Sequence, residues 1–379
     1  MNRPAAPVAL EPLLTLCHDA AGTVQDIRST GVRESVARSL LGLDATTALE
    51  QLVQLLPLCG VAQRRAAALA LTAGGAVLPE AQTAFDNESL WLEHVRACCW
   101  RHAIDWPAVL NERPDPALLR AGHAARDTAS GSAALTALIE GLPDRATAEQ
   151  LVRWAEDQGS AAARLLQRAF SIDRPVREDL RPSAARQVTT KVPLRRVDAL
   201  REAAATTGAR GLTRWPKRAG AAEVGARALL SRRTAGVLAE LDASDWVLRL
   251  CAQVLQVSEL RPGPAALPAS SPATDAWTLP DRAGLGMALT ARGPVFHRVV
   301  LDPASRVRDW EILAPTDWHF AVEGPVMVLS RSPALTVDLL PLLALSFDSC
   351  SAWRLAREPL AARPARIPAS DTGREMAHA

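Results

Sequence analysis

The chain has no tyrosine, only five phenylalanines and no long uncharged apolar run. The last absence bears most directly on function class, because a bilayer span needs about 20 consecutive apolar residues. The apolar stretch near the N-terminus is broken by Pro7, Glu11 and Pro12, so neither a signal peptide nor a membrane span is expected and a cytoplasmic location follows. A surplus of charge of one sign is also missing. Lys+Arg 43 against Asp+Glu 41 gives a formal net charge of +2, which argues against nucleic-acid binding by overall electrostatics. Cysteine is sparse, six in 379 residues without regular spacing. No disulfide framework is expected, and the thiols are read as reduced. The missing tyrosine stands beside ten tryptophans and heavy alanine and arginine usage, which we assign to coding bias.

What remains is 48% hydrophobic, enough to bury a sizeable core as one large domain or two smaller ones. Pro7–Leu16 and Thr23–Ile27 read as two strands around the turn-rich His18–Gly22. Asp44–Leu56 puts Leu49, Leu52, Val53 and Leu56 on one helical face, with Thr47 and Glu50 at capping-box spacing. Pro57 and Gly60 stop that helix, and Ala62–Leu71 resumes as another, so Cys59 falls in the turn before a helix N-terminus. Asn87–Ile104 is a further helix. Residues 115–170 predict two or three more, split near Gly131 and by Gly141 and Pro143, in a bundle. Proline-broken, arginine-rich residues 171–220 predict irregular structure, and Ala221–Val257 returns to helical periodicity. Arg261–Thr274 is rich in Pro, Ala and Ser and reads as a linker.

The expected division is 1–260, a linker at 261–277, and 278–379, all within one large domain. In the last part Phe296–Leu301 and Arg308–Leu313 predict a hairpin around Asp302–Ser305, and Pro333–Leu345 predicts a buried helix interrupted by Pro341. It leads into Ser346–Trp353, SFDSCSAW. There Ser349 or Asp348 can cap a helical turn beginning at Ser351, and that N-terminus would favour a thiolate at Cys350. Cys59 has the same electrostatic setting.

Taken together, these segments resemble the large subunit of nickel-iron hydrogenases, and among its relatives the shorter HupK-type (HoxV-type) hydrogenase expression/formation proteins. Pro57–Ala66, PLCGVAQRRA, is similar to the motif R-x-C-G-x-C-x-x-x-H with only its first cysteine kept. Ser346–Ala356, SFDSCSAWRLA, is similar to S-F-D-P-C-x-x-C-x-x-H, again with the first cysteine alone. Ala62 and Trp353 stand where the other two would be. Ala291–His297, ARGPVFH, looks like A-P-R-G-x-x-x-H, and Ala314–His319, APTDWH, looks like P-[ST]-T-W-N. Gly324-Pro325-Val326 and the helix ending in Asp105-Trp106 also fit the order, whereas residues 171–280 carry little of it.

The resemblance implies an α+β fold, mainly α, like the hydrogenase large subunit: a central helical bundle with small N-terminal and C-terminal β hairpins. It implies no enzyme, because two of four metal-holding thiolates are gone and the pair left cannot supply nickel with its usual set; no nickel is expected. It implies a maturation scaffold that transiently holds an Fe(CN)2(CO) fragment through Cys59 and Cys350. Arg292 and Thr316 match the family's donors to the two cyanides. Cys59 and Cys350 match the terminal nickel ligands rather than the bridging ones, so the iron would sit displaced. Ala356 replaces the histidine at which a protease trims the catalytic subunit, so processing there is not expected. The implied partners are the large-subunit precursor, a HypC-like chaperone and the HypC–HypD assembly complex. The alternative is a metal-free mimic of the large subunit that acts as an assembly chaperone through protein contacts.

Plainer readings stand beside these. Each cysteine alone is as readily a small buried hydrophobe, Arg292 a salt-bridge residue, and Thr316 a turn residue bonded to local backbone. His94, Cys98 and His102 recur every four residues and could line one helical face as metal ligands, or simply face the core. Asp348 can cap a turn without any functional role. Cys17 and Cys251 read as packing, and Arg214–Arg233 as a solvated face or a dock for an acidic partner.

Overall fold

Small residues decide how the centre of this chain packs. We describe the computed structural model over residues 13–20, 23–179, 222–267, 273–331 and 335–357. The first described elements form an antiparallel hairpin, β1 (Leu13–His18) and β2 (Val24–Ser29), as the alternation predicts. The expected strand start at Pro7 lies outside the described residues. Helices α1 (Val32–Ser39), α2 (Ala45–Leu55), α3 (Gly60–Ala73) and α4 (Glu80–Thr83) follow. The α2 cap is Asp44, whose carboxylate accepts the Thr47 N–H at 3.0 Å. The Thr47/Glu50 box is therefore not used: the helix starts three residues earlier, where an aspartate is the stronger cap.

Helix α5 (Asn87–Trp100) runs into a π-helical turn, Arg101–Asp105, and then α6 (Trp106–Leu110). The bundle continues with α7 (Pro116–Ala124), α8 (Thr128–Leu138), α9 (Ala148–Asp157) and α10 (Ala161–Asp179). Gly141 and Pro143 separate α8 from α9 as expected, but Gly131 breaks nothing. It lies inside α8, where a Cβ would come within 2.4 Å of the Trp91 ring, so its glycine serves close packing. Irregular structure was expected from residue 171, yet α10 continues through Pro175 to Asp179; residues 180–221 lie outside the described set. The helical reading of Ala221–Val257 resolves into α11 (Ala226–Leu229), α12 (Arg232–Ala239) and the long, buried α13 (Asp245–Leu260).

Four antiparallel strands come next, β3 (Thr274–Leu279), β4 (Ala283–Thr290), β5 (Gly293–Leu301) and β6 (Val307–Leu313), in sequential order. The β5–β6 hairpin is the expected one. Residues 274–277, assigned to the linker, are instead the first part of β3, because Thr274 to Leu279 pair residue by residue with β4. Then come α14 (Pro315–His319), α15 (Pro325–Ser330) and α16 (Leu340–Ser346). Pro341 does not interrupt α16. It sits in the first turn, where its missing N–H costs nothing. The described residues are thus mainly helical with two small sheets, and none of their helices is long and apolar enough to cross a membrane.

The last described element is β7 (Ala352–Arg357), which pairs parallel to β1 and completes a sheet of order β2-β1-β7. This overturns the helix expected at Ser351. Main-chain groups from Ala352 onward join the β1 ladder, and the Ser351 N–H is taken by Ser349 Oγ at 3.0 Å. The serine capping role survives; the helix does not.

Helix α3 lies on β4 with almost nothing between the backbones. A Cβ on Gly286 would fall 2.0 Å from the Ala66 carbonyl, and one on Gly284 2.0 Å from that of Ala70. The facing side of α3 is correspondingly alanine-rich, with Ala62, Ala66, Ala67 and Ala70 fully buried. On the sheet, Leu285, Met287, Phe296 and Val300 form a separate apolar cluster with Val224 and Trp318. Gly286→Ala is expected to lower stability by about 1–3 kcal/mol, since α3 must lift off the sheet. Gly236→Ala, on the exposed side of α12 with open space around it, is expected to gain about 0.5–1 kcal/mol. Urea unfolding of both variants checks the pair.

Candidate metal-fragment site

The two motif segments meet through strained backbone. Cys59 precedes α3 at φ 56°, and Asp348 follows α16 at φ 50°, both in the left-handed region that non-glycine residues enter at a cost of about 1–3 kcal/mol. Such a cost persists only where surrounding contacts fix the conformation. At Asp348 those contacts are two guanidiniums. Arg101 Nη1 donates to Asp348 Oδ2 at 2.9 Å, and Arg292 Nε lies 3.3 Å from Oδ1. All three side chains are buried, Arg101 completely. Asp348 therefore answers arginines rather than capping a turn.

Arg292 is held in the two-residue turn between β4 and β5. Its N–H is accepted by Thr290 Oγ at 3.1 Å, and Thr290 Oγ donates to the Gly293 carbonyl at 2.8 Å. Gly293 has φ 130°, and a Cβ there would come within 2.5 Å of the Val224 carbonyl. From this turn Arg292 Nη1 reaches Cys59 Sγ at 3.7 Å. The two thiols of Cys59 and Cys350 lie within electrostatic reach of Arg292 and of one another. The structure thus brings together the four residues singled out from the sequence, Cys59, Arg292, Thr316 and Cys350.

Thr316 belongs to α14. Its Oγ accepts the Cys350 N–H at 3.0 Å and lies 3.0 Å from Cys350 Sγ. Next to it, Asp317 accepts from the Ala314 N–H at 2.9 Å and from both Nε and Nη2 of Arg33 at 2.6 Å. Arg33, on α1, was not a candidate in the sequence. Its Nη1 lies 3.7 Å from Cys350 Sγ.

One electrostatic expectation is corrected. The amides at the start of α3 are already taken, because Glu93 of α5 accepts the Val61 N–H at 2.6 Å and the Ala62 N–H at 3.1 Å. Loss of solvent pushes the Cys59 thiol up to about 12, and Arg292 opposes that shift only in part. The helix N-terminus therefore does not produce a thiolate here, and the buried Cys59 thiol keeps its proton.

The π turn is a second feature the periodicity missed. Arg101 sits at its start with Cys98 Sγ 3.1 Å from Nη2, and Gln256 of α13 accepts from Nη2 at 3.4 Å while donating to the Ala291 carbonyl at 2.9 Å. Gln253, one turn earlier, accepts from Trp106 Nε1 at 3.0 Å and donates to the Ser346 carbonyl at 2.9 Å. α13 thereby ties both site turns to the bundle. His94, Cys98 and His102 do not form a ligand set: His94 Nε2 donates to the Leu289 carbonyl, His102 Nδ1 to the Cys98 carbonyl, and Cys98 takes Arg101. Among the described residues no group of three or more His, Cys, Asp or Glu converges to hold a metal ion.

Comparison with known proteins places these motifs in context. No family model matches the chain. It is 43% identical over 76 residues to the hydrogenase expression/formation protein HupK of Azotobacter vinelandii, covering 19% of this chain and 22% of that one. It is 38% identical over 80 residues to HupK of Bradyrhizobium diazoefficiens, covering 19% and 22%. The matched stretches span about a fifth of those relatives, and the expected HupK-type resemblance is present there. Among solved structures, the nickel-iron-selenium hydrogenase of D. vulgaris Hildenborough aligns over 87% of this chain and 94% of that one, at 13% identity and a TM-score of 0.41.

Two predictions follow from the buried charges. Asp348→Asn leaves Arg101 and Arg292 facing each other without an anion, at an expected cost of about 3–5 kcal/mol; adding Arg101→Met restores part of it, as a double-mutant cycle in urea will measure. Burial, with Asp348 nearby, pushes Asp105 up to about 6 from an ordinary 3.8. Its raised folded value makes the ionised carboxylate a cost: full above about 6, absent below 3.8, so stability from this group falls as pH rises through that window. Asp105→Asn is expected to gain stability at pH 7.5 and nothing at pH 3.5, read from thermal melts at both.

Proposed function

We propose that this chain is a non-catalytic maturation scaffold for a nickel-iron hydrogenase, one that takes up an Fe(CN)2(CO) fragment as cargo and passes it to the large-subunit precursor. The observation that carries the reading is two sulfurs, Cys59 and Cys350, each with a guanidinium nitrogen 3.7 Å away. Soft thiolates suit low-spin iron, and N–H donors suit the anionic ends of cyanides. Similarity to proteins called hydrogenase expression/formation proteins supports the same direction.

In this reading Cys59 and Cys350 ligate iron, Arg292 stands on the ligand side, and Thr316, the other residue the motif order singles out, is bonded to Cys350. The Cys59 proton, held by burial, leaves when iron arrives. The free Cys59 thiol is the stable form of the empty site. A HypC-like chaperone, alone or in the HypC–HypD complex, is the donor that fits this cargo. The precursor is the acceptor.

Protein purified anaerobically from a producing host is expected to show cyanide and carbonyl stretches in the infrared, together with iron. Cys350→Ser is expected to remove the bands and to lower the iron content at least tenfold. Wild-type protein with neither bands nor iron, still supporting hydrogenase maturation as a Cys59→Ser/Cys350→Ser variant, would establish the metal-free mimic instead.

A further inference from the structure

Arg33 enters the site from α1, far in sequence from every motif described above. Its guanidinium is divided by use. Nε and Nη2 form a fork on Asp317, both at 2.6 Å, and Nη1 is left pointing at Cys350 Sγ, 3.7 Å away. The side chain is 13% exposed. Arg292 repeats the arrangement on the other cysteine, with Nε against Asp348 at 3.3 Å and Nη1 3.7 Å from Cys59 Sγ. Two series of aspartate, arginine and cysteine thus converge from α14 with α1 and from the α16 turn with the β4–β5 turn.

The Thr316 hydroxyl is differently placed. Its oxygen already accepts the Cys350 N–H at 3.0 Å and shares a hydrogen bond with Cys350 Sγ at 3.0 Å, in which either atom can donate. That group is committed to holding the sulfur. At 3.7 Å a sulfur takes little from a guanidinium N–H. Nη1 of each arginine therefore keeps its capacity for a charge-assisted bond, and the aspartate behind each one removes the rotamer freedom that binding would otherwise cost.

We propose that Arg33, rather than Thr316, is the second anion anchor, so that a cargo with two anionic diatomic ligands is gripped by one guanidinium beside each cysteine. The identity of the cargo rests on the proposed function; the anchor assignment does not. Asp317 is the positioning residue for Arg33. It stands where the P-[ST]-T-W-N segment has threonine, so this second grip comes with a residue the motif lacks.

Thiocyanate, a linear anion of similar shape, is the probe. Added to the metal-free protein, it is expected to bind with a C–N stretch distinct from that of the free ion. Arg33→Met is expected to weaken binding at least tenfold and more than Thr316→Val does; Asp317→Asn and Arg33→Lys, which loosen the fork but keep the charge, weaken it several-fold. Thermal melts identify any variant that fails to fold, and Arg33→Lys carries the test if Arg33→Met does. The assignment is overturned if wild-type protein binds no thiocyanate, or if Thr316→Val lowers affinity more than the folded Arg33 variants. Because the probe needs no iron, thiocyanate binding without iron–cyanide bands in protein from a producing host would sink the proposed function and leave the anchor standing.

Discussion

The ion pairing of Asp348 with Arg101 and Arg292 is the interaction on which the site depends. A carboxylate buried between two guanidiniums is costly to bring out of water and costlier still to leave unpaired, so its three members must hold their positions together. Arg101 comes from the π turn after α5, Arg292 from the β4–β5 turn and Asp348 from the end of α16. One carboxylate thereby pins a helical bundle, a sheet and the cysteine loop to one another. The left-handed conformation at Asp348 is the backbone cost of that pinning.

Around this centre the polar groups are spent on positioning rather than on solvent. Gln253 and Gln256, one turn apart on α13, bond the carbonyls of Ser346 and Ala291, the residues that lead into the two site turns. His297 of β5 accepts from Trp310 Nε1 at its Nδ1 and donates from Nε2 to Gln63 on α3. Burial pushes His297 down to about 3, so the ring stays neutral and keeps that pair of bonds. α3, which begins at Cys59, is in this way bonded to the sheet that carries Arg292.

Much of this was legible in the sequence where the signal was local. The N-terminal and β5–β6 hairpins followed from alternation, α5 and α13 from helical spacing, and the pairing of Cys59 with Cys350, Arg292 and Thr316 from motif order. The rest depended on contacts between distant residues. β7 reads as the start of a helix because AWRLAR alternates weakly and finds its partner only in β1, more than three hundred residues earlier. Gly131 reads as a break until Trp91 is known to lie against it. Arg33 carries no motif at all, and only the fold sets it beside Asp317. Arg101 left one clue, an arginine close to Cys98, Cys99, His102 and Ala103, all of which are buried. Its meaning required Asp348, and its angle required a turn wider than the α-helical period.

The contact of α3 with β4 through Gly284 and Gly286 has a mechanical consequence. Where backbone rests on backbone, there is no layer of side chains to yield, so Cys59 at the head of α3 and Arg292 at the tip of the β4–β5 turn travel as one stiff piece. Cys350, Thr316, Asp317 and Arg33 are bonded into a second piece. The gap between the sulfurs is then set by how these two blocks dock, with Asp348 ion-paired across the seam to Arg101 and Arg292.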